Sequence, residues 1–238
     1  MASEILGIFM SNYSRFAIYY LLPNGPLADF GASWLGWDVE TGTAAAHPDL
    51  PLDVAAITET PRKYGLHGTL KPPFRLNTGL TQADVETAAA DLAAKLAPVE
   101  MQALTLSNIG RFIALTAVGD ASDLTDLATA CVVELDHLRA PATDAELARR
   151  RAAGLTDRQD AYLMEWGYPY VMEDFKFHIT LSGKLDADTA ARTTDALTPI
   201  LSPLLPAPFV INDIGLVGER ADGRFEVIQR YTLSSDRA

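Results

Sequence analysis

Hydrophobic and polar positions alternate along this chain in a way that separates strands from helices. Residues 15–22 (Arg-Phe-Ala-Ile-Tyr-Tyr-Leu-Leu) are apolar on both faces and rich in β-formers, which predicts a buried strand. Residues 23–60 are rich in Gly, Pro and Ala with weak periodicity, so loops and a short helix are expected. Tyr64 to Leu70 reads as a strand ended by Pro72 and Pro73. Thr81-Gln-Ala-Asp84 has capping-box spacing and opens a helix with Val85, Leu92 and Leu96 on one stripe and Pro98 as its stop.

Two strands are expected at 100–107 and 111–118, joined through Asn108 and Gly110, and then a helix over about 123–138. Thr143-Asp-Ala-Glu146 and Thr156-Asp-Arg-Gln159 each open a short helix. An aromatic loop, Trp166-Gly-Tyr168-Pro-Tyr170, leads to a strand at 175–182. A helix follows from about Asp186, broken near Pro199. Strands at 209–217 and 224–233 turn at Asp222-Gly223. In the last of them Phe225, Val227, Gln229, Tyr231 and Leu233 share a face. The order strand, helix, strand, strand thus occurs after residue 64 and again after residue 175, which suggests an internal repeat.

Composition narrows the class. The 238 residues are 48% apolar and 21% charged, an ordinary globular balance that excludes a disordered or collagen-like chain. The net charge of −12 opposes long nucleic acid and anionic lipid. The single cysteine, Cys131, excludes an internal disulfide framework and an all-cysteine metal site; its apolar helical setting predicts a buried structural thiol. No apolar run reaches the roughly 18 residues of a membrane-spanning helix. Phe16 to Leu22 lacks the basic leader of an export signal, so the cytoplasm and no membrane partner are expected.

The two halves of the repeat share one motif, His67-Gly-Thr69-Leu70 and His178-Ile-Thr180-Leu181, 111 residues apart. On a strand, side chains at i and i+2 point the same way. Each copy therefore presents an imidazole and a hydroxyl together and turns its leucine toward a core. A pseudo-two-fold axis would bring both pairs to one cleft. Four of the chain's five lysines, Lys63, Lys71, Lys176 and Lys184, flank the motifs, and Arg62 and Arg75 join the first cluster. Such a cleft suits a tetrahedral anion. One neutral histidine can serve as general base while the other, protonated, serves as general acid. A zinc site is the competing reading, but neither motif has a third ligand at matching spacing. No metal and no cofactor are expected.

At these residues the sequence resembles the two-histidine (2H) phosphoesterase superfamily, whose hallmark is a pair of His-x-Ser/Thr motifs. It looks closest to the branch associated with phosphonate metabolism. The matching stretches are Arg62-Lys-Tyr-Gly-Leu-His-Gly-Thr-Leu-Lys-Pro-Pro-Phe-Arg75 and Trp166-Gly-Tyr-Pro-Tyr-Val-Met-Glu-Asp-Phe-Lys-Phe-His-Ile-Thr-Leu181. Residues 147–158 also look like the branch, and the likeness covers roughly residues 15–235. The segment before Arg15 departs from it, which makes residues 1–14 an extension and Met10 an alternative start.

The resemblance implies an α+β, bilobal fold with two antiparallel sheets around a central cleft and helices outside. The first lobe would be 15–138, an inter-lobe insertion 139–173 and the second lobe 174–238. It also implies metal-independent hydrolysis of cyclic phosphates, with His67, Thr69, His178 and Thr180 catalytic. In that cleft Lys71 (i+4 from His67) and Lys176 (i−2 from His178) share their histidines' faces and are expected to bind substrate. Tyr64 joins them if a bulge at Gly65 reverses its parity. Trp166 and Tyr168 are expected to stack on a sugar or base.

Arg149 to Arg151 reads as a solvated helix face, and His47 and His137 as structural or surface residues. A small cyclic phosphate, with a ribosyl cyclic phosphate as candidate, is the expected substrate, and the chain is expected to act as a monomer. An RNA-end or nucleotide 2′,3′-cyclic phosphodiesterase and a non-catalytic phosphometabolite-binding module remain open alternatives. Whether 139–173 moves as a lid also remains open.

Overall fold

The computed structural model describes residues 12–235, so the expectations for residues 1–9 and Met10 lie outside the described residues. The chain opens with β1 (Phe16–Leu21), α1 (Pro26–Leu35), the short strands β2 (Trp37–Asp38) and β3 (Thr43–Ala44), and the single turns α2 (Val54–Ile57) and α3 (Glu59–Arg62). The repeat then follows. Its first copy is β4 (His67–Phe74), α4 (Gln82–Ala93), β5 (Val99–Met101), β6 (Ala103–Ile109) and β7 (Phe112–Val118). Between the copies lie α5 (Ser122–Glu134), α6 (Asp144–Arg151) and α7 (Asp157–Trp166). The second copy is β8 (Ile179–Thr180), α8 (Ala187–Leu201), β9 (Phe209–Ile211), β10 (Asp213–Glu219) and β11 (Phe225–Thr232). The expected capping boxes form at Thr81–Asp84, Thr143–Glu146 and Thr156–Gln159.

The fold is α+β and its ladders are antiparallel, but the main strands form one sheet and not two. Its order is β11-β10-β1-β4-β8-β7-β6. The joint between its halves is narrow: β4 and β8 share a single registered pair, Gly68 with Ile179. The halves are not the contiguous stretches 15–138 and 174–238. The hairpin β6–β7 from the first copy pairs with β8, and the hairpin β10–β11 from the second pairs with β1, whose other neighbour is β4. A small β5–β9 pair also links the copies.

Helices α1, α4, α5 and α8 cover one sheet face and bury the main core, with Ile18, Tyr20, Leu70, Ile113, Ile179, Leu181 and Leu216 at its centre. The other face carries a smaller cluster of Ala17, Tyr19, Leu21, Trp37, Val39, Val217 and Phe225. Several expectations fail where a ladder is irregular. β4 runs through Pro72 and Pro73 because its pairing with β1 shifts register there, and a strand tolerates proline where the ladder is already broken. In β11 a shift between Val227 and Gln229 splits the expected single face: Phe225 joins the small cluster, while Tyr231 and Leu233 join the main core. The strand expected at 175–182 shrinks to two residues, and α8 passes Pro199 without a break.

Gly68, at the joint, leaves no room for a side chain. A Cβ there would lie 2.3 Å from the Phe177 ring, which fills the core behind the motif strands. Gly68→Val is expected to cost about 1–3 kcal/mol through overpacking, read as a lowered urea midpoint. An unchanged midpoint would show that the joint can yield.

Candidate functional site

His67 begins β4 and His178 immediately precedes β8. Continuing the Gly68–Ile179 register by one residue sets His67 opposite Thr180 and Thr69 opposite His178. Residues opposite one another share a face, so the two imidazoles stand on one diagonal and the two hydroxyls on the other. Beyond this pair the chains diverge, and the gap is a cavity of about 480 Å³. Thr69 and Pro72 line one side, Lys176 and His178 the other, and Ala128 and Val132 of α5 reach its wall.

Both histidines are anchored alike. His67 Nδ1 lies 2.9 Å from the Gly65 carbonyl, and His178 Nδ1 lies 2.7 Å from the Lys176 carbonyl. A carbonyl only accepts, so Nδ1 carries the proton in each neutral ring and Nε2 is left to work. His67 Nε2 is 3.0 Å from Thr69 Oγ1, positioned to accept its O–H. The His67 ring stacks on Tyr19, with centroids 3.7 Å apart and planes 22° apart. Burial pushes the His67 pKa down to about 4, against the support of the Gly65 carbonyl, and the nearby His178 lowers it further. His67 is therefore neutral at pH 7. His178 is half-buried, with Phe112 at 5.6 Å between ring centroids.

The binding residues expected around the motifs divide. Lys176 and Tyr168 line the cavity. Tyr64 packs beside His67, with ring centroids 6.0 Å apart, and carries Lys63 over its face at 4.9 Å. Trp166 ends α7 and is not among the cavity's lining residues.

Lys71 is a correction. The register shift places it opposite Ile18 while Thr69 lies opposite Tyr19, so the extra β4 residue reverses its parity. Its side chain enters the main core, 2% exposed, and its ammonium donates to the Val132 carbonyl at 2.8 Å and to Asp136 at 3.4 Å. Burial lowers its pKa to about 8, with Asp136 opposing. Lys71 thus ties the last turn of α5 to β4 and does not face a ligand.

Composition and motif spacing missed Tyr19, Phe112, Phe175 and Met172, while Tyr170 of the aromatic loop, an expected stacking residue, does line the cavity. Tyr19 was legible only as a strand residue, because its place under His67 depends on the β1–β4 register. Met172 lines the cavity with a positive φ of 51°, a strained backbone that no residue type announces. His47 and His137 bond to the Trp34 and Glu134 carbonyls, away from the cavity. Among the described residues no group of three or more His, Cys, Asp or Glu could hold a metal ion, and no helix is long and apolar enough to cross a membrane.

A family model described as "protein of unknown function (DUF1045)" matches residues 69–226, about two thirds of the chain. The chain belongs to the DUF1045 family. The match takes in the second motif and starts at Thr69, inside the first. This DUF1045 chain is 34% identical over 192 residues to a ribose 1,5-bisphosphate phosphokinase PhnN of Janthinobacterium sp. (strain Marseille), covering 77% of this chain and 42% of that protein. It is also 34% identical to the PhnN of Laribacter hongkongensis (strain HLHK9), covering 72% and 40%. The chain thus spans about two fifths of the curated relatives it matches. Similar solved structures include TT0787 of Thermus thermophilus, at 16% identity and a TM-score of 0.45 over 94% of this chain and all of that one. E. coli LigT complexed with 3′-AMP is another, at 16% identity and a TM-score of 0.40 over 93% and 98%.

Two outcomes test these placements. His67 has a folded pKa depressed from about 6.5 to about 4. Its contribution to stability is therefore complete above pH 6.5 and lost as pH falls toward 4. His67→Gln is expected to flatten the dependence of unfolding free energy on pH in that window. A slope equal to the parent's would place the ring in water. For Lys71, Lys71→Met, which keeps the volume but removes the bonds to Val132 and Asp136, is expected to cost about 1–3 kcal/mol, and Lys71→Ala more, through the added cavity. A Lys71→Met urea melt equal to the parent's would mean that the ammonium does not hold α5.

Proposed function

We propose that this chain is a metal-independent phosphodiesterase that opens a small cyclic phosphate ester by two-histidine acid–base catalysis. The observation that carries this reading is the pair of imidazoles diagonal across the β4–β8 joint, each fixed through Nδ1 to the carbonyl two residues before it. The resemblance of the two motifs to the 2H phosphoesterases agrees with it. So does the name of the PhnN relatives, which refers to a phosphorylated ribose. That name belongs to proteins of which this chain covers about two fifths, and it makes a ribosyl cyclic phosphate an apt first substrate.

The chemistry divides between unlike histidines. His67, neutral through burial, takes a proton from water at Nε2 as the water oxygen bonds to phosphorus. His178, protonated at Nε2, gives that proton to the ring oxygen as the P–O bond breaks. The product is a phosphomonoester, and exchange with solvent takes the proton from His67 and returns one to His178. Burial keeps His67 neutral, and the nearby His178 adds to that effect. Thr180 donates to a phosphoryl oxygen, Thr69 does the same once its O–H turns from His67 Nε2 to the substrate and frees that nitrogen for water, and Lys176 balances the phosphoryl charge.

Purified protein in EDTA, incubated with ribosyl 1,2-cyclic phosphate and a panel of 2′,3′-cyclic nucleotides, is followed by phosphorus NMR. Ring opening is expected for the parent, with His67→Ala and His178→Ala each slower by about 10²–10⁴. The acid limb of kcat/KM is expected near pH 4, where His67 becomes protonated. Loss of turnover in EDTA with recovery on added zinc would overturn the mechanism. Stabilisation by the ligands without turnover would make the chain a binding module.

A further inference from the structure

A second pocket lies near the cavity beside His178, and five arginines from four parts of the chain converge on it. They are Arg15 before β1, Arg75 after β4, Arg139, and Arg149 and Arg150 of α6. Three are matched by carboxylates. Arg15 pairs with Glu219, Arg75 with Glu146 at 2.9 Å, and Arg139 with Asp136 at 2.8 Å. Among the described residues neither Arg149 nor Arg150 has a carboxylate within ion-pair distance. The pocket thus keeps two unmatched guanidinium charges on a chain of net charge −12, about what one phosphoryl dianion needs. Three arginines in the last turn of α6 suit its helix dipole. The dipole does not explain why Arg15, Arg75 and Arg139 meet two of them.

The linings of the two pockets include sequence neighbours. Pro72 lines the histidine cavity and Pro73 the arginine pocket; Tyr168 lines the first and Gly167 the second. The Arg150 guanidinium lies over the Tyr168 ring, 4.6 Å from its centroid. From Thr69 to Pro73 is four strand residues, roughly 13 Å, and extended arginines shorten the gap. No residue of α6 is buried, so ion pairs and not packing hold it: Arg75–Glu146 on one side and Arg151–Asp160 on the other. The run Arg149 to Arg151 is a solvated face as expected, and Arg149 and Arg150 also line this pocket.

We propose that the arginine pocket is a second anion subsite, in which Arg149 and Arg150 bind a phosphoryl group that the substrate carries away from its cyclic phosphate. This rests on the reading of the histidine cavity as the place of ring opening. The occupant is a doubly phosphorylated small molecule, and the phosphodiester of an RNA end is the other source of the same chemistry.

The test has two arms. In the first, phosphorus NMR compares kcat/KM for 2′,3′-cyclic AMP and for its 5′-phosphorylated form, on the parent and on Arg149→Gln/Arg150→Gln. The parent is expected to prefer the 5′-phosphorylated form by about tenfold or more, and the double variant to lose that preference. In the second, calorimetry titrates inorganic pyrophosphate into the His67→Ala/His178→Ala protein with and without the two arginine changes. Binding weakened about tenfold by the arginine changes is expected.

No ring opening by any protein, with arginine-dependent pyrophosphate binding, would sink the catalytic reading and leave the subsite standing. Ring opening with no preference for the 5′-phosphate, and pyrophosphate binding indifferent to the arginines, would overturn the subsite alone. A trinucleotide ending in a 2′,3′-cyclic phosphate that outpaces both mononucleotides, with a steep salt dependence, would overturn the small-molecule occupant in favour of RNA.

Discussion

One cross-strand pair, Gly68 with Ile179, holds the two halves of the sheet together and sets the geometry of the site. Because opposite residues of an antiparallel ladder share a face, this pair alone decides that two histidines and two threonines meet on crossed diagonals. Its shortness matters as much as its existence. A longer ladder would close the gap between β4 and the 171–178 segment, and the cavity beside His178 would be lost. The glycine is part of the same constraint, since Phe177 occupies the space its side chain would need.

The joint also separates two electrostatic environments. On the His67 side the ring is stacked on Tyr19 and largely withdrawn from water, so the neutral form is favoured. On the His178 side the ring meets the open cavity beside Lys176. Two motifs of one pattern thus come to lie in unlike surroundings, one ring stacked and buried, the other at the cavity wall. The positive charge is divided in the same way. Lys71, adjacent in sequence to the first motif, is spent on holding α5, while Arg149 and Arg150, far from both motifs in sequence, line a separate pocket.

The segment between the repeats is fastened to the site chiefly by ion pairs. Arg158 holds Asp174, Tyr162 holds Glu173, and Arg139 links Asp136 to the Glu165 carbonyl. These contacts carry α7 onto the stretch that precedes His178. They explain how Tyr168 and Tyr170 reach the cavity although nothing in their spacing demanded it. Trp166, two residues earlier, ends the helix and stays off the cavity wall.

The sequence by itself determined what depends on local chemistry and short periods. It specified the capped helices, the repeat, the buried first strand, and the pairing of each histidine with a threonine two residues on. Period-two geometry needs no partner strand to be read. Tertiary structure decided what depends on register and crossing. The hairpins exchange between halves because β6–β7 pairs with the second motif strand, β8, and β10–β11 pairs with β1, which in turn pairs with the first, β4. Lys71, and the residues around Val227 to Tyr231, change faces because one extra residue in a strand reverses every side chain beyond it. A bulge is a mismatch between two strands, so neither strand's own sequence displays it. Likewise, the low pKa of His67 comes from Tyr19 and the packed sheet face around it, which are neighbours in space and not in the chain.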